Sequence, residues 1–101
     1  MDIIGNKYLV TFGMAKATLN FDSETSLTFN IIEKEGQKQN ITETVAIKLT
    51  ELRPQLYLVT WQEENGTTVT QVQDYENETV YSNWTASCGL FTNIKGTIQK
   101  V

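Results

Sequence analysis

LYLVTWQEENGTTVTQVQD, residues 56–74, places two alternating runs of β-forming residues on either side of Asn65-Gly66. Asn-Gly between such runs is a hairpin signal, because both central residues of a two-residue type I′ turn need φ > 0. With that turn at the tip, Tyr57 lies opposite Asp74, Val59 opposite Val72, Trp61 opposite Thr70 and Glu63 opposite Thr68. Directly opposed residues share a face of the ribbon. One face is therefore expected to carry Tyr57, Val59, Trp61, Glu63, Thr68, Thr70, Val72 and Asp74. The other carries Leu58, Thr60, Gln62, Glu64, Val69, Gln71 and Gln73. The first face is bulkier and sets carboxylates among rings, so it is read as the inner one, with Glu63 in or near the interior.

The same period-two alternation extends outward in both directions. Tyr8, Val10 and Phe12 mark a first strand, Ala15 to Phe21 a second, and Leu27, Phe29 and Ile31 a third. Glu33 to Asn40, with Gly36 inside it, reads as an exposed loop. Ile41, Val45, Ile47 and Leu49 give a fourth strand an apolar inner face, and Pro54 turns the chain into the central hairpin. Asp74 to Asn77 is a polar turn, after which Val80, Ser82 and Trp84 alternate with Tyr81, Asn83 and Thr85. Cys88 to Lys95 is irregular or holds a short strand, and Gly96 to Val101 closes the chain. Eight short strands with turns every eight to twelve residues and no helical stripe predict an all-β fold. Closure removes exposed sheet edges, so the expected form is a small antiparallel up-and-down barrel of about eight strands, lipocalin-like, spanning 1–101 as a single domain.

Composition narrows the chemistry. The 101 residues carry a formal net charge of −4, with 40% hydrophobic and 20% charged side chains, as a globular domain does. No basic cluster stands out, so nucleic acid is not an expected partner. No apolar run is long enough to span a bilayer, and Met1-Asp2-Ile3-Ile4-Gly5 lacks the basic start and apolar centre of a secretory signal. No membrane partner and a cytoplasmic location are the expectations. Cys88 is the only cysteine and histidine is absent, which removes the usual zinc and copper sets and the Ser-His and Cys-His nucleophiles. Asp74, Glu76 and Glu78 alternate like oxygen ligands, but no glycine follows where a calcium loop needs one, so they read as a solvated turn. No metal and no cofactor is expected.

At Val45-Ala46-Ile47-Lys48-Leu49-Thr50-Glu51, Tyr57-Leu58-Val59-Thr60-Trp61-Gln62-Glu63 and Gly66-Thr67, the chain resembles the lipocalin-like, or calycin, barrels of phenolic acid decarboxylases and the related MoaF-like proteins. Val72-Gln73-Asp74 and Gly96-Thr97-Ile98 resemble the MoaF-like side more. For the decarboxylases the resemblance implies a cofactor-free reaction. Two tyrosines and an arginine hold the substrate carboxylate there, and a buried glutamate, matched by Glu63, assists proton transfer. Val10-Thr11-Phe12 stands where those enzymes have Tyr-Thr-Tyr, and Gln37 where they have arginine. No counterpart of the long C-terminal extension of the decarboxylases is expected.

Two readings stand beside each other for every candidate residue. Glu63 is either a desolvated acid or base, catalytic if the chain is an enzyme, or a rim carboxylate bonded to Thr68 or to water. Tyr8 and Tyr57 either present hydroxyls to a ligand or fill the core. Asp74 either contacts a ligand or satisfies turn amides. Phe12, Phe29, Trp61 and Trp84 are either flat walls for a planar ligand or the packed interior. The leading expectation is a non-enzymatic barrel binding a small apolar or aromatic molecule in its interior through Tyr8, Phe12, Phe29, Tyr57, Trp61, Glu63, Asp74 and Trp84. A cofactor-free lyase or isomerase using Glu63 is the rival. A third reading is an interaction module that forms a homodimer through outward-facing Leu58, Val69 and Tyr81.

Overall fold

A computed structural model describes residues 3–101; Met1 and Asp2, the start of the stretch read for a signal sequence, lie outside the described residues. The eight strands are β1 (Lys7–Phe12), β2 (Ala15–Ser23), β3 (Ser26–Lys34), β4 (Gln37–Arg53), β5 (Leu56–Gln62), β6 (Thr68–Asp74), β7 (Thr79–Thr85) and β8 (Phe91–Lys100). Each pairs antiparallel with the next, and β8 pairs with β1, so the sheet closes into an up-and-down barrel. The expected fold class is the one observed.

The interior is built from alternate residues of every strand. Val10, Leu19, Phe21, Leu27, Val59, Val69, Val80 and Ile98 are all buried there and belong to one continuous apolar cluster. Burying Phe, Leu, Ile and Val side chains of this kind stabilises a fold by roughly 1.5–3 kcal/mol each. Bulges in the β2–β3 and β3–β4 pairings bend the strands toward closure.

Three local expectations are corrected. The first concerns the central hairpin, whose observed pairs are Tyr57↔Gln73, Val59↔Gln71 and Trp61↔Val69, one residue away from the register of a two-residue turn. Glu63 N–H donates to Thr67 O at 2.7 Å and Gly66 N–H to Glu63 O at 2.9 Å, closing a three-residue loop in which Gly66 has φ 89°. Only Gly66 takes positive φ; Asn65 instead uses its side chain, its Oδ1 accepting from Thr67 N–H at 2.9 Å. This is a type I turn followed by a glycine bulge. A one-residue slip reverses the facing of every residue on one strand, so Val69, Gln71 and Gln73 point inward, and Thr68, Thr70, Val72 and Asp74 do not share the inner face.

The second is the segment from Glu33 to Asn40, which is not a loop. β3 runs to Lys34, β4 starts at Gln37, and Glu35 (φ 53°) and Gly36 (φ 78°) form the two-residue positive-φ turn between them. β4 is consequently a 17-residue strand. Its first part pairs with β3 and its second, from Ile47, with β5. The β3–β4 hairpin outruns the barrel, which leaves Ile41 47% exposed although it lies on the inner-face alternation. The third is the start of the last strand: the segment expected to be irregular or to hold a short strand joins β8 from Phe91, five residues before Gly96.

The connections divide between two ends. The 13–14 and 35–36 turns and the 63–67 and 86–90 loops gather at one mouth, here the upper. The 24–25, 54–55 and 75–78 turns gather at the lower mouth. The 86–90 loop repeats the geometry of 63–67: Ala86 N–H donates to Leu90 O, Gly89 N–H to Ala86 O, and Gly89 has φ 94°.

Candidate functional site

The barrel separates the sequence-selected residues into two groups. Phe12, Phe29, Trp61, Glu63 and Trp84 belong to the upper half. Phe12 meets Trp84 edge to face at 5.3 Å between ring centroids, and Phe29 lies 6.2 Å from Trp61. Glu63 is half-buried at the upper rim, two residues beyond Trp61, whose Nε1–H donates to Glu63 Oε2 at 3.4 Å. Burial raises the pKa of this carboxyl; the indole hydrogen bond opposes the rise, nearby Glu43 adds to it, and Lys34 opposes it. Glu43 accepts from the Glu64 backbone N–H at 2.7 Å, which holds its carboxylate beside the 63–67 loop.

Tyr8 and Tyr57 stand at the lower mouth. Between them lies Tyr75, which falls within the segment expected to be a polar turn. Its ring is 4.8 Å from Tyr8 at 60° and 5.8 Å from Tyr57 at 73°. Alternation carries Gln71 and Gln73 inward, and the chain continues into Tyr75, whose backbone N–H is held by Gln55 O at 2.8 Å. The missed signal was the register itself: with a three-residue loop, Val69, Gln71, Gln73 and Tyr75 form one alternating series.

That series makes a polar ladder in an apolar interior. Tyr75 OH donates to Gln73 Oε1 at 2.5 Å, Gln73 Nε2 donates to Gln71 Oε1 at 2.8 Å, and Gln71 Nε2 donates to Ser82 Oγ at 3.3 Å. Gln71, Gln73 and Ser82 are buried, Gln73 completely. Burying amides costs free energy unless they are paired; the mutual bonds supply that pairing. Burial pushes the Tyr75 hydroxyl well above the ordinary phenol range, and Tyr8 and Tyr57 act in the same direction, so at neutral pH it keeps its proton.

Tyr57 OH donates to Glu51 Oε1 at 3.1 Å. Around these groups the lower mouth opens as a concavity of about 310 Å³, walled by Ile3, Tyr8, Tyr57, Tyr75 and Ile98 and rimmed by Gln55, Glu76, Glu78 and Lys100. Asp74 lies beside it as a turn cap. Its Oδ1 accepts from Glu76 and Asn77 backbone N–H at 3.0 Å each, and its Oδ2 accepts from Asn77 Nδ2 at 2.8 Å. The Asn77 side chain and backbone, with the Glu76 amide, hold its pKa below the ordinary carboxylate range.

The corrected register also changes the outer surface. Val69 is interior, at 2% exposure, and cannot contribute to an outward contact. The outward apolar row across β5, β6 and β7 is Leu58–Val72–Tyr81, with Lys95 Nζ 5.6 Å from the Tyr81 ring centre.

The closed eight-strand barrel and its paired mouths can now be set beside known proteins. A profile of the MoaF-like family matches residues 4–99. The chain belongs to the MoaF-like family. Among solved structures, the MoaF-like barrel is similar to one described as "a putative beta-lactamase from Burkholderia vietnamiensis", with a TM-score of 0.91 and 20% sequence identity over 100% of this chain and 97% of that one. Likeness at that identity concerns the fold alone. No curated protein matches the chain.

Proposed function

We propose that this MoaF-like barrel is a small-molecule-binding protein whose apolar or aromatic ligand docks at the lower mouth against Tyr8, Tyr57 and Tyr75. The observation that carries the reading is the open concavity of about 310 Å³ over three tyrosine rings, with aliphatic Ile3 and Ile98 completing its walls. Ligand sites are concave, mostly apolar and fitted with a few polar groups, and this volume lies at the small end of their range. A ligand of one aromatic ring or similar bulk matches it. Side chains occupy the interior above, which brings the ligand to the mouth rather than to the barrel centre.

A screen of single-ring fragments by protein-observed NMR tests the proposal. Hits are expected to shift the ring resonances of Tyr8, Tyr57 and Tyr75. Hits that move only upper-mouth signals, such as the Trp61 and Trp84 indoles, would transfer the site to the other end.

One observation favours a second reading, a cofactor-free lyase or isomerase: burial raises the pKa of Glu63, as a general acid or base requires. Incubation with hydroxycinnamic acids followed by chromatography tests its simplest form, and unchanged substrate counts against it.

A further inference from the structure

We propose that the ligand of the lower mouth carries a positively charged nitrogen, as an organic ammonium or a quaternary amine does. The inference rests on the lower-mouth reading and adds to it the ligand's charge.

Three features of the site point the same way. The first is the aromatic lining. Tyr8 and Tyr57 are set at 60° and 73° to the Tyr75 ring, and all three tyrosines line the concavity. The face of an aromatic ring is electron-rich and attracts cations, and clustered tyrosines strengthen that attraction where water is partly displaced.

The second is the direction of the hydroxyl bonds. Tyr75 directs its proton to Gln73 Oε1 and Tyr57 directs its proton to Glu51 Oε1. Gln73 cannot readily release the Tyr75 proton by turning its amide, because its own Nε2 is committed to Gln71 Oε1. Anion recognition by tyrosines requires the hydroxyl protons to face the ligand. Here the Tyr57 and Tyr75 protons are engaged by acceptors of the barrel itself, so at these two hydroxyls a carboxylate meets oxygen atoms where it needs donors.

The third is the charge of the rim. Glu76 and Glu78 flank the opening from the 75–78 turn, and Glu51 stands behind the Tyr57 hydroxyl. Lys100 is the cation among the described lining residues. Glu78 is fixed in place: it takes φ 55°, and its carbonyl accepts from Ile98 N–H at 3.1 Å. Among the described residues lining the mouth, Glu76 and Glu78 outnumber Lys100, and that balance favours a positively charged ligand and disfavours a negatively charged one.

The test compares three probes that share a phenyl ring and differ in charge: 2-phenylethylamine, 2-phenylethanol and 3-phenylpropionate. Each is titrated into the full chain at neutral pH and low ionic strength, with the Tyr8, Tyr57 and Tyr75 ring resonances as readout. The amine is expected to bind most tightly, and the carboxylate to leave these resonances unmoved. Glu76→Gln combined with Glu78→Gln, both at exposed turn positions, is expected to weaken the amine by roughly threefold to tenfold while leaving the neutral alcohol unchanged. Equal or tighter binding of the alcohol or the carboxylate at the same tyrosines overturns the charge assignment and leaves the lower-mouth site standing. If none of the three moves those resonances, the site and the charge assignment both fall.

Discussion

Phe12 lies across Gly96 where β8 closes the barrel onto β1. A methyl group at position 96 would sit 2.6 Å from Phe12 Cδ1 and 2.2 Å from the carbonyl oxygen of Thr11. The backbone oxygen cannot move aside without opening the seam that pairs Val10 with Ile98 and Thr11 with Thr97. Gly96→Ala is expected to lower stability by about 3 kcal/mol or more in urea unfolding. Gly89, with open space around it but φ 94°, is the control: Gly89→Ala is expected to cost about 1–2 kcal/mol, from backbone strain alone.

The central hairpin makes opposite forecasts under its two possible turns. In a two-residue type I′ turn, Asn65→Gly would be neutral or favourable, since glycine accepts positive φ at no steric cost. In the observed loop the same change removes the Asn65 Oδ1 bond to Thr67 N–H and adds chain entropy to the unfolded state. It is expected to destabilise by about 1 kcal/mol. Gly66→Ala should cost about 1–2 kcal/mol or more, because φ is 89° and the new methyl would meet Ser87 Cβ at 3.0 Å. A chevron or equilibrium urea series on both variants checks the pair.

Glu63 links stability to pH in a fixed direction. Its carboxyl has a raised pKa in the folded chain, chiefly through burial. The folded state therefore holds this proton more tightly than the unfolded state. The resulting stabilisation is full below the unfolded-state pKa and is lost as pH rises through the folded-state value. Glu63→Gln keeps an acceptor for Trp61 Nε1–H and removes the charge. The variant is expected to melt higher than the parent at pH 7, with the advantage shrinking as the pH falls into the acid range. Paired thermal melts across that range measure it; a constant offset at all pH values would mean that the carboxylate is not desolvated.

Tyr75 and Gln73 act as one unit. Tyr75→Phe keeps the ring stack against Tyr8 and Tyr57 but removes the donor to buried Gln73 Oε1. It is expected to cost about 1–3 kcal/mol, as for a buried acceptor deprived of its partner. A double-mutant cycle with Gln73→Leu should return a coupling of at least about 0.5 kcal/mol. Additive losses would show that the 2.5 Å contact contributes nothing specific.

Several features of the barrel are local consequences of the chain. Tyr8, Val10 and Phe12, or Val80, Ser82 and Trp84, alternate because a strand turns each successive side chain to the opposite face. That alternation declared the eight strands, the inner faces of all but β6 and, with eight of them, closure of the sheet. Pro54 at the turn between β4 and β5 and the break at Gly13 are likewise written in residues that favour turns, whereas Gln55, at φ 67°, is not. Membership in the MoaF-like family was legible in the same strands.

What the alternation could not supply was the phase of β6 relative to β5. Asn65-Gly66 suits a two-residue turn and equally a three-residue loop with glycine at its end, and the two differ by one residue in register. Local chemistry scarcely separates them. Burial of Val69 opposite Trp61 does. From that single step follow the inward turn of Gln71 and Gln73, the entry of Tyr75 between Tyr8 and Tyr57, and the tyrosine lining of the lower-mouth concavity. The sequence by itself determined the strands and the closed barrel, because period-two patterning is a property of neighbouring residues. Only the tertiary structure decided which residues of β6 face inward and where the tyrosines meet, because register is chosen by contacts between strands and loops distant in the chain.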